Sequence, residues 1–299
     1  MSNGKKADSQ TVYFRSADFP SGGFLPKNQV RIAPNDRGFM FADGLYEVVR
    51  SYGGRFFGFA EHLARLRHSL AEVGIDFPEI GELPGIAQEL VRRNGLETVA
   101  AVTYIQLTRG LCERRYPFPT PPVVPTLYIE VNRLLSAAAE AEQGIAAITV
   151  PDIRWSRCDI KWLGLLPNVL ARQRAVAQGA NEAIFVRDGV VTEGTHTNVF
   201  GVKAGVVLTH PRDHHILAGI TRAQVIQLCR ALRLPVEERP ILQAELAGLD
   251  ELFLTSTTGE ITPVVVLDSK PVGRGRPGSL TQQLQRAFRG LISSLSQGD

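Results

Sequence analysis

The stretch Cys158-Asp-Ile-Lys-Trp-Leu-Gly-Leu-Leu166 sets one lysine, Lys161, among apolar residues. Residues 145–153 before it have the pattern of a β-strand, and residues 168–178 after it have that of a helix, ended by Gly179. A lysine in such surroundings commonly lays its stem on apolar surface and keeps its ammonium group in water. A desolvated lysine instead has a lowered pKa, becomes nucleophilic and can form a Schiff base with a carbonyl group. Taken by itself, the stretch favours the first interpretation.

Strand and helix signals alternate on both sides of this stretch. Residues 61–73 repeat leucines at helical spacing, and residues 99–109 alternate as a half-buried strand does. Further on, Asp188-Gly189 separates two apolar runs, which is a type I′ hairpin signal, and residues 219–231 pass from loop to helix. These patterns predict a mixed α+β protein.

The length predicts two domains, since 299 residues exceed the usual size of one. Residues 136–144 are small, polar and alanine-rich without a clear period, so they are the predicted linker. We therefore expect an N-terminal domain over residues 1–135 and a C-terminal domain over residues 145–299.

Composition and charge exclude several classes of function. A dispersed net charge of +3 argues against nucleic acid as a partner, and no apolar run approaches the ~20 residues of a membrane span. The polar start and three widely spaced cysteines predict a cytoplasmic protein with reduced thiols and no metal site. Dinucleotide, Walker-type and GxSxG motifs are also missing from the sequence.

Five segments resemble, in the same order, signatures of the fold-type IV pyridoxal-phosphate-dependent enzymes, and within them the D-amino-acid transaminases. The segments are Asp36-Arg-Gly-Phe-Met-Phe-Ala-Asp-Gly-Leu-Tyr-Glu-Val48, Asp152-Ile-Arg-Trp-Ser-Arg-Cys-Asp-Ile-Lys161, Thr192-Glu-Gly-Thr-His-Thr-Asn-Val-Phe200, Gly219-Ile-Thr-Arg222 and Thr255-Ser-Thr-Thr258. The resemblance implies a smaller N-terminal α/β domain and a larger C-terminal pseudo-barrel domain that binds the cofactor. It also implies a homodimer that uses pyridoxal 5'-phosphate.

The resemblance gives two residues a chemical role. Lys161 would form the Schiff base with the cofactor and carry the proton between the substrate Cα and the cofactor. Glu193 matches the acidic partner of the pyridine nitrogen and would keep that nitrogen protonated. Without the resemblance, Glu193 reads as an exposed hairpin carboxylate.

The resemblance also assigns the residues that hold the cofactor phosphate. Arg65 would supply a cationic fork, and Ile220 and Thr221 would supply backbone N–H groups at a predicted helix N-terminus. Ser256 and Thr257 would add hydroxyl groups. Without the resemblance, Arg65 is a solvated helix residue.

The substrate-binding residues depart from the family's pattern. In the D-amino-acid transaminases, a tyrosine matching Tyr46 holds the substrate carboxylate together with an arginine and a histidine on a loop of the other subunit. That loop here reads Thr108-Arg-Gly-Leu-Cys-Glu-Arg-Arg-Tyr116, so Arg114 keeps the arginine position, Tyr116 replaces the histidine and Arg115 adds a charge. An arginine still binds a carboxylate through two hydrogen bonds, so a reshaped carboxylate site is expected.

The expected reaction is transamination between a D-amino acid, such as D-alanine, and a 2-oxo acid, such as 2-oxoglutarate. A branched-chain or (R)-amine aminotransferase would share the cofactor residues. A lyase of the aminodeoxychorismate lyase type would use the same lysine without a second substrate. A pseudoenzyme that only binds the cofactor is the remaining alternative, and the presence of both Lys161 and Glu193 argues against it.

Overall fold

The computed structural model describes residues 10–135 and 138–297, and the chain forms two compact units. The first unit contains the described residues up to Leu135 together with Ile160–Gly164. The second unit contains the described residues of 138–159 and 165–297.

The first unit is built on a six-stranded antiparallel sheet. Its strands are β1 (Thr11–Ser16), β2 (Phe19–Pro26), β3 (Gly44–Tyr52), β4 (Arg55–Phe56), β5 (Ala101–Thr108) and β6 (Thr126–Arg133). They lie in the order β2-β1-β6-β5-β3-β4. The alternation predicted for residues 99–109 is confirmed, because Ala101, Thr103, Ile105 and Leu107 are buried on one face of β5.

Three α-helices belong to the described part of the first unit: α1 (Arg37–Phe41), α2 (Phe59–Val73) and α3 (Leu83–Arg93). Short 3₁₀ helices cover Lys27–Gln29 and Pro78–Glu82. The leucine stripe of α2, Leu63, Leu66 and Leu70, is buried in the core of this unit, as its helical spacing predicts. Gly74 ends α2 with a φ of 61°, the left-handed conformation that glycine adopts easily.

The second unit contains a ten-stranded sheet. Its strands are β7 (Ile145–Pro151), β8 (Glu182–Arg187), β9 (Val190–Gly194), β10 (Asn198–Lys203), β11 (Val206–Thr209), β12 (Val236–Glu238), β13 (Ile241–Leu242), β14 (Glu251–Ser256), β15 (Glu260–Leu267) and β16 (Lys270–Pro271). The path β10-β14-β15-β7-β8-β9 returns to β10 through the pair Asn198 and Glu193. This closed path confirms the pseudo-barrel that the resemblance implied.

The helices of the second unit are α4 (Ala138–Gln143), α5 (Leu166–Ala177), α6 (Ile220–Ala231) and α7 (Ser279–Gln297), with a 3₁₀ helix over Gln243–Gly248. The predicted hairpin is confirmed. Asp188 and Gly189 join β8 to β9 with φ values of 51° and 76°, and a type I′ turn requires positive φ at both central residues.

The unit boundaries differ from the predicted domain boundaries at two places. Residues 160–164 belong to the first unit and not to a C-terminal domain over residues 145–299, because Ile160 is buried in the first core and Trp162 packs against that core. Part of the predicted linker forms α4, and Ala141 at this helix accepts a hydrogen bond from Gln285 of α7. Residues 136 and 137 of that linker lie outside the described residues.

No helix in residues 10–135 or 138–297 has the length and apolar character needed to cross a membrane. Over the same residues, no group of histidine, cysteine and acidic side chains is placed to hold a metal ion. Cys112, Cys158 and Cys229 are free cysteines.

Candidate active site

The segment that carries Lys161 pairs with the beginning of β3. The amide of Tyr46 donates to the carbonyl of Lys161 at 3.1 Å, and the amide of Leu163 donates to the carbonyl of Gly44 at 3.2 Å. The Lys161 amide donates to the Ser69 hydroxyl oxygen of α2 at 3.4 Å. Main-chain contacts on both sides therefore fix Lys161 within the first unit.

The side chain of Lys161 points at an aromatic ring. Its Nζ lies 4.2 Å from the ring centroid of Tyr46, within the range of a cation–π contact. Among the described residues, Nζ has no hydrogen-bond acceptor and no carboxylate partner. An amine without a counterion remains available to react with a carbonyl group.

A buried cluster of Glu47, His62 and Arg65 lies close to Lys161. Arg65 Nε and Nη2 donate to the two carboxylate oxygens of Glu47 at 2.8 and 2.7 Å. His62 Nδ1 lies 2.8 Å from Glu47 Oε2, and it must carry the hydrogen because an ionised carboxylate only accepts. The three side chains are each at most 8% exposed.

The protonation states of this cluster follow from burial and charge. Burial alone would raise the pKa of Glu47, but the charge of Arg65 and the hydrogen bonds from Arg65 and His62 hold this pKa far below its ordinary value. Burial lowers the pKa of His62, and the positive charges of Arg65 and Lys161 lower it further. Glu47 raises this pKa, but the lowering effects are larger. Glu47 is therefore ionised and His62 neutral at pH 7.

The loop after β5 carries two further predicted site residues. The Arg114 guanidinium lies 5.1 Å from the ring centroid of Phe41, and the Tyr116 ring lies 5.7 Å from the same ring. Both side chains are exposed. Arg115 differs from them, because its guanidinium pairs with the Glu113 carboxylate at 2.7 Å.

In the second unit, Glu193 lies at the closure of the barrel, where it pairs with Asn198. It is 7% exposed, so the interpretation as an exposed hairpin carboxylate is wrong. Arg154 Nη1 donates to Glu193 Oε1 in a short ion pair, and the Leu217 amide donates to Oε2 at 2.9 Å. A buried arginine and a main-chain amide thus stabilise a negative charge here.

Arg154 also binds a second carboxylate. Its Nε and Nη2 donate to the two oxygens of Asp152, each at 2.8 Å, and Arg187 lies 3.2 Å from the same carboxylate. Burial would lower the pKa of Arg154, but Glu193 and Asp152 raise it above its ordinary value. Burial raises the pKa of the nearby Cys158 thiol to about 12, so this thiol is not a nucleophile at pH 7.

Asn198 connects Glu193 to the N-terminus of α6. Its Nδ2 donates to the Leu217 carbonyl at 2.9 Å and contacts Glu193 Oε2 at 3.4 Å. Gly219 precedes α6 here, and a Cβ at this position would lie 2.0 Å from Asn198 Oδ1. This close approach requires glycine. The first amides of α6, at Ile220 and Thr221, follow it and are able to donate hydrogen bonds to an anion.

Ser256 and Thr257 lie at the end of β14, the strand that pairs with β10 at Asn198. Asn198 of β10 pairs with Thr255 of β14, and β14 ends at Ser256. The Ser256 hydroxyl oxygen accepts from the Gly259 amide at 2.9 Å, so its own hydrogen remains to be donated.

The comparisons with known proteins agree with one another. A sequence model of the family "Amino-transferase class IV" matches residues 44–267. The chain is 41% identical to a D-alanine aminotransferase of Staphylococcus aureus over 93% of this chain and 98% of that protein. It is 42% identical to a D-alanine aminotransferase of Bacillus licheniformis over 92% of this chain and 96% of that protein.

The chain belongs to the class IV aminotransferase family. A solved structure of the Escherichia coli branched-chain amino acid aminotransferase superimposes with a TM-score of 0.86, at 26% identity and over 95% of each chain. The protein is thus an aminotransferase of fold type IV, and its cofactor is pyridoxal phosphate.

The residues of this aminotransferase fit that cofactor. Lys161 offers an amine without a counterion, and Glu193 offers a buried, ionised carboxylate for a protonated ring nitrogen. The N-terminus of the 12-residue helix α6 offers main-chain amides for a phosphate. The cofactor-binding roles of Arg65, Lys161, Glu193, Ile220, Thr221, Ser256 and Thr257 all stay predictions.

The structure brings some of the predicted site residues together in each unit. In the first unit Lys161 meets Tyr46, whereas Arg114 and Tyr116 meet at Phe41. In the second unit Glu193 is linked through Asn198 to the loop before α6 and to β14.

The sequence interpretation missed the partners of these residues. Glu47 had a usable signal, because it shares the inward face of β3 with Leu45 and Val49, where a charge needs a buried partner. The pair of Arg154 with Glu193 had none, because Glu193 lies 39 residues away and only the fold brings the two together.

Proposed function

We propose that this protein transfers an amino group between a D-amino acid, such as D-alanine, and a 2-oxo acid, such as 2-oxoglutarate. The observation that carries the proposal is the Lys161 amine, which faces the Tyr46 ring and has no counterion among the described residues. Relatives at 40–42% identity that are D-alanine aminotransferases support the choice of donor.

Pyridoxal phosphate, when bound, supplies an aldehyde that condenses with amines and a ring that accepts an electron pair. Lys161 would hold the cofactor through Nζ, and the same amine would take the proton from the substrate Cα. Glu193 would accept a hydrogen bond from the protonated ring nitrogen, while Arg154 keeps Glu193 ionised.

Phosphate binding would combine main-chain and side-chain donors. The first amides of α6, at Ile220 and Thr221, would bind through aligned N–H groups, and Ser256 and Thr257 would add hydroxyl donors. Arg65 would add positive charge while Glu47 orients its guanidinium.

The substrate carboxylate would be bound by Tyr46, Arg114 and Tyr116. Arg114 suits this role because no described carboxylate pairs with it, whereas the charge of Arg115 is already met by Glu113. We therefore assign Arg115 no contact with substrate.

An absorption titration of the purified holoenzyme tests the donor. The cofactor's aldehyde and amine forms absorb differently, so D-alanine and L-leucine are added separately without any keto acid. Conversion by D-alanine alone supports the proposal. Conversion by L-leucine alone would replace it with a branched-chain activity, and a failure of the protein to bind the cofactor would refute the role of Lys161.

The branched-chain alternative rests on two observations. Tyr116 stands where the D-amino-acid transaminases have histidine, and the superimposed Escherichia coli structure is a branched-chain aminotransferase. Replacing Tyr116 by histidine is expected to shift the preference among amino donors and to leave cofactor affinity unchanged. Equal kinetics for every donor before and after the change would remove Tyr116 from the carboxylate site.

We further propose a homodimer in which Arg114 and Tyr116 act on the partner subunit's substrate. Mixing K161A and R114A subunits tests this, because each mixed dimer would then contain one complete set of residues. With D-alanine far below the KM of R114A, where that variant is nearly inactive, activity should return to roughly a quarter of the wild-type level after statistical exchange of subunits. No return of activity in verified mixed dimers would mean that Arg114 acts within its own subunit.

Because the cysteines of the enzyme are free thiols, we also assign the enzyme to the cytoplasm.

A further inference from the structure

We infer that Arg37 is a positioning residue for substrate recognition, because it fixes the main chain of the loop that carries Arg114 and Tyr116. We call residues 110–118 the carboxylate loop. The inference rests on the proposed function, in which Arg114 and Tyr116 bind the substrate carboxylate.

Arg37 binds three consecutive carbonyl groups of the carboxylate loop. Its Nη1 donates to the carbonyl of Arg115 at 2.6 Å and contacts that of Pro117 at 3.4 Å. Its Nη2 donates to the carbonyl of Tyr116 at 3.3 Å. These carbonyls lie at and directly after the residues proposed to bind substrate, so Arg37 acts on the loop at the place where its position matters.

Arg37 is itself held by the carboxylate of Asp43. Its Nε donates to Asp43 Oδ2 at 2.6 Å, and Arg109 binds both oxygens of Asp43 at 2.8 and 3.1 Å. Arg109 also donates to the carbonyls of Val73 and Gly74 at the end of α2, at 2.7 and 2.8 Å. The carboxylate loop is thereby tied to a helix of the core.

Arg37 and Arg109 are only 3% and 6% exposed, so they form a buried charge cluster with Asp43. Buried ion pairs add little net stability, since desolvation offsets most of the attraction. A planar fork can bind Asp43 on one edge and carbonyls on the other, which the compact ammonium group of lysine cannot do. An effect on loop geometry explains an arginine here better than an effect on stability does.

Phe41 links Arg37 to the recognition side chains. The Arg37 guanidinium lies 4.9 Å from the Phe41 ring centroid, and the same ring contacts Arg114 and Tyr116. Because Arg37 and Phe41 both belong to α1, one short helix holds the main chain and supports both side chains.

Two substitutions of Arg37 are expected to keep the fold. The cluster has two guanidinium groups for one carboxylate, so R37K and R37M leave Asp43 neutralised by Arg109. The matched control is R15K, because Arg15 is also mostly buried in the first unit and pairs with Glu79 at 2.9 Å, without any described contact to the carboxylate loop.

The test compares KM, kcat and cofactor absorption for wild type, R37K, R37M and R15K with D-alanine and 2-oxoglutarate. Both Arg37 variants should raise KM roughly tenfold while kcat and absorption stay near wild type, since uniform binding is lost. In an R114A background, R37K should add no further increase in KM, because Arg37 acts through Arg114. A purely structural role would instead lower activity equally in both backgrounds.

Unchanged KM in folded R37K and R37M, or an effect that persists in full in the R114A background, would overturn the inference while the proposed function stands. Wild-type protein that binds the cofactor but transfers no amino group between D-alanine and 2-oxoglutarate would overturn the proposed function. The inference about Arg37 would then fail as well.

Discussion

Each unit buries carboxylates against an arginine, but the two clusters differ in their ratio of charges. In the first unit Arg65 directs two nitrogens at one carboxylate, Glu47, and a neutral His62 completes the cluster. In the second unit Arg154 is divided between two carboxylates, Asp152 and Glu193. The first arrangement depends on a single carboxylate, and the second does not.

The difference separates stability from chemistry. Loss of Glu47 would remove the negative charge that faces a buried guanidinium, which is costly. Loss of Glu193 would leave Arg154 bound to Asp152 through two hydrogen bonds, so the fold can tolerate it. We therefore expect Glu193 to matter more for the proposed chemistry than for stability, whereas Glu47 stabilises the surroundings of Lys161.

The largest expected effect comes from the Lys161 amine, near the cluster of the first unit. K161A should lower kcat at least about 10⁴-fold, because both the covalent attachment and the proton transfer depend on Nζ. The free energy of unfolding should change little, since neither cluster loses a member. Steady-state kinetics and urea denaturation measure the two quantities, and K270A, at an exposed lysine, is the control. Residual activity near wild type would refute the role of Lys161.

E47Q should lower the free energy of unfolding by about 3–5 kcal/mol, because it leaves the Arg65 charge without its carboxylate in a buried position. Urea denaturation of the apoenzyme measures this. The control is E79Q, which breaks a pair whose carboxylate is 38% exposed and should lose about 1 kcal/mol or less. Equal losses for the two variants would contradict the comparison.

E193Q should show the opposite balance, with a stability loss of about 1–2 kcal/mol. Its kcat should fall on the order of 10²-fold, because the ring nitrogen loses its charged partner. D188N changes an exposed carboxylate at the tip of the same hairpin and should alter neither quantity. A larger stability loss in E193Q than in E47Q would reverse the assignment of the two clusters.

The smallest expected effect is a dependence of the free energy of unfolding on pH, caused by His62. Burial and the charges of Arg65 and Lys161 lower the pKa of His62 below its ordinary value of 6.5, although Glu47 opposes them. The unfolded chain binds a proton below about pH 6.5 that the folded His62 resists, so stability should fall as the pH drops from 7 to 5. The Glu47 contribution is lost only below its ordinary pKa of 4.5. H62Q should reduce this fall in the free energy of unfolding by about 1 kcal/mol, which is the size of the contribution of one hydrogen bond. H68Q, at an exposed histidine of the same helix, should leave it unchanged.

Much of the local structure followed from the sequence. The stripe of α2, the alternation of β5 and the turn at Asp188-Gly189 depend on periodicity and on φ preferences, which are local properties. The family resemblance added the pseudo-barrel and the importance of Lys161. Its place in the first unit escaped prediction, because Ile160 and Trp162 join that core through contacts far along the chain.

The sequence by itself determined most helices and strands through periodicity, and its motifs determined the family and, by resemblance, the candidate site residues. Only the tertiary structure decided which charges meet. Arg65 turned from a solvated helix residue into the partner of Glu47, and Arg37 became the anchor of a loop about 80 residues away. Such pairs are set by burial and strand register, since a buried charge must find its partner wherever the fold places one.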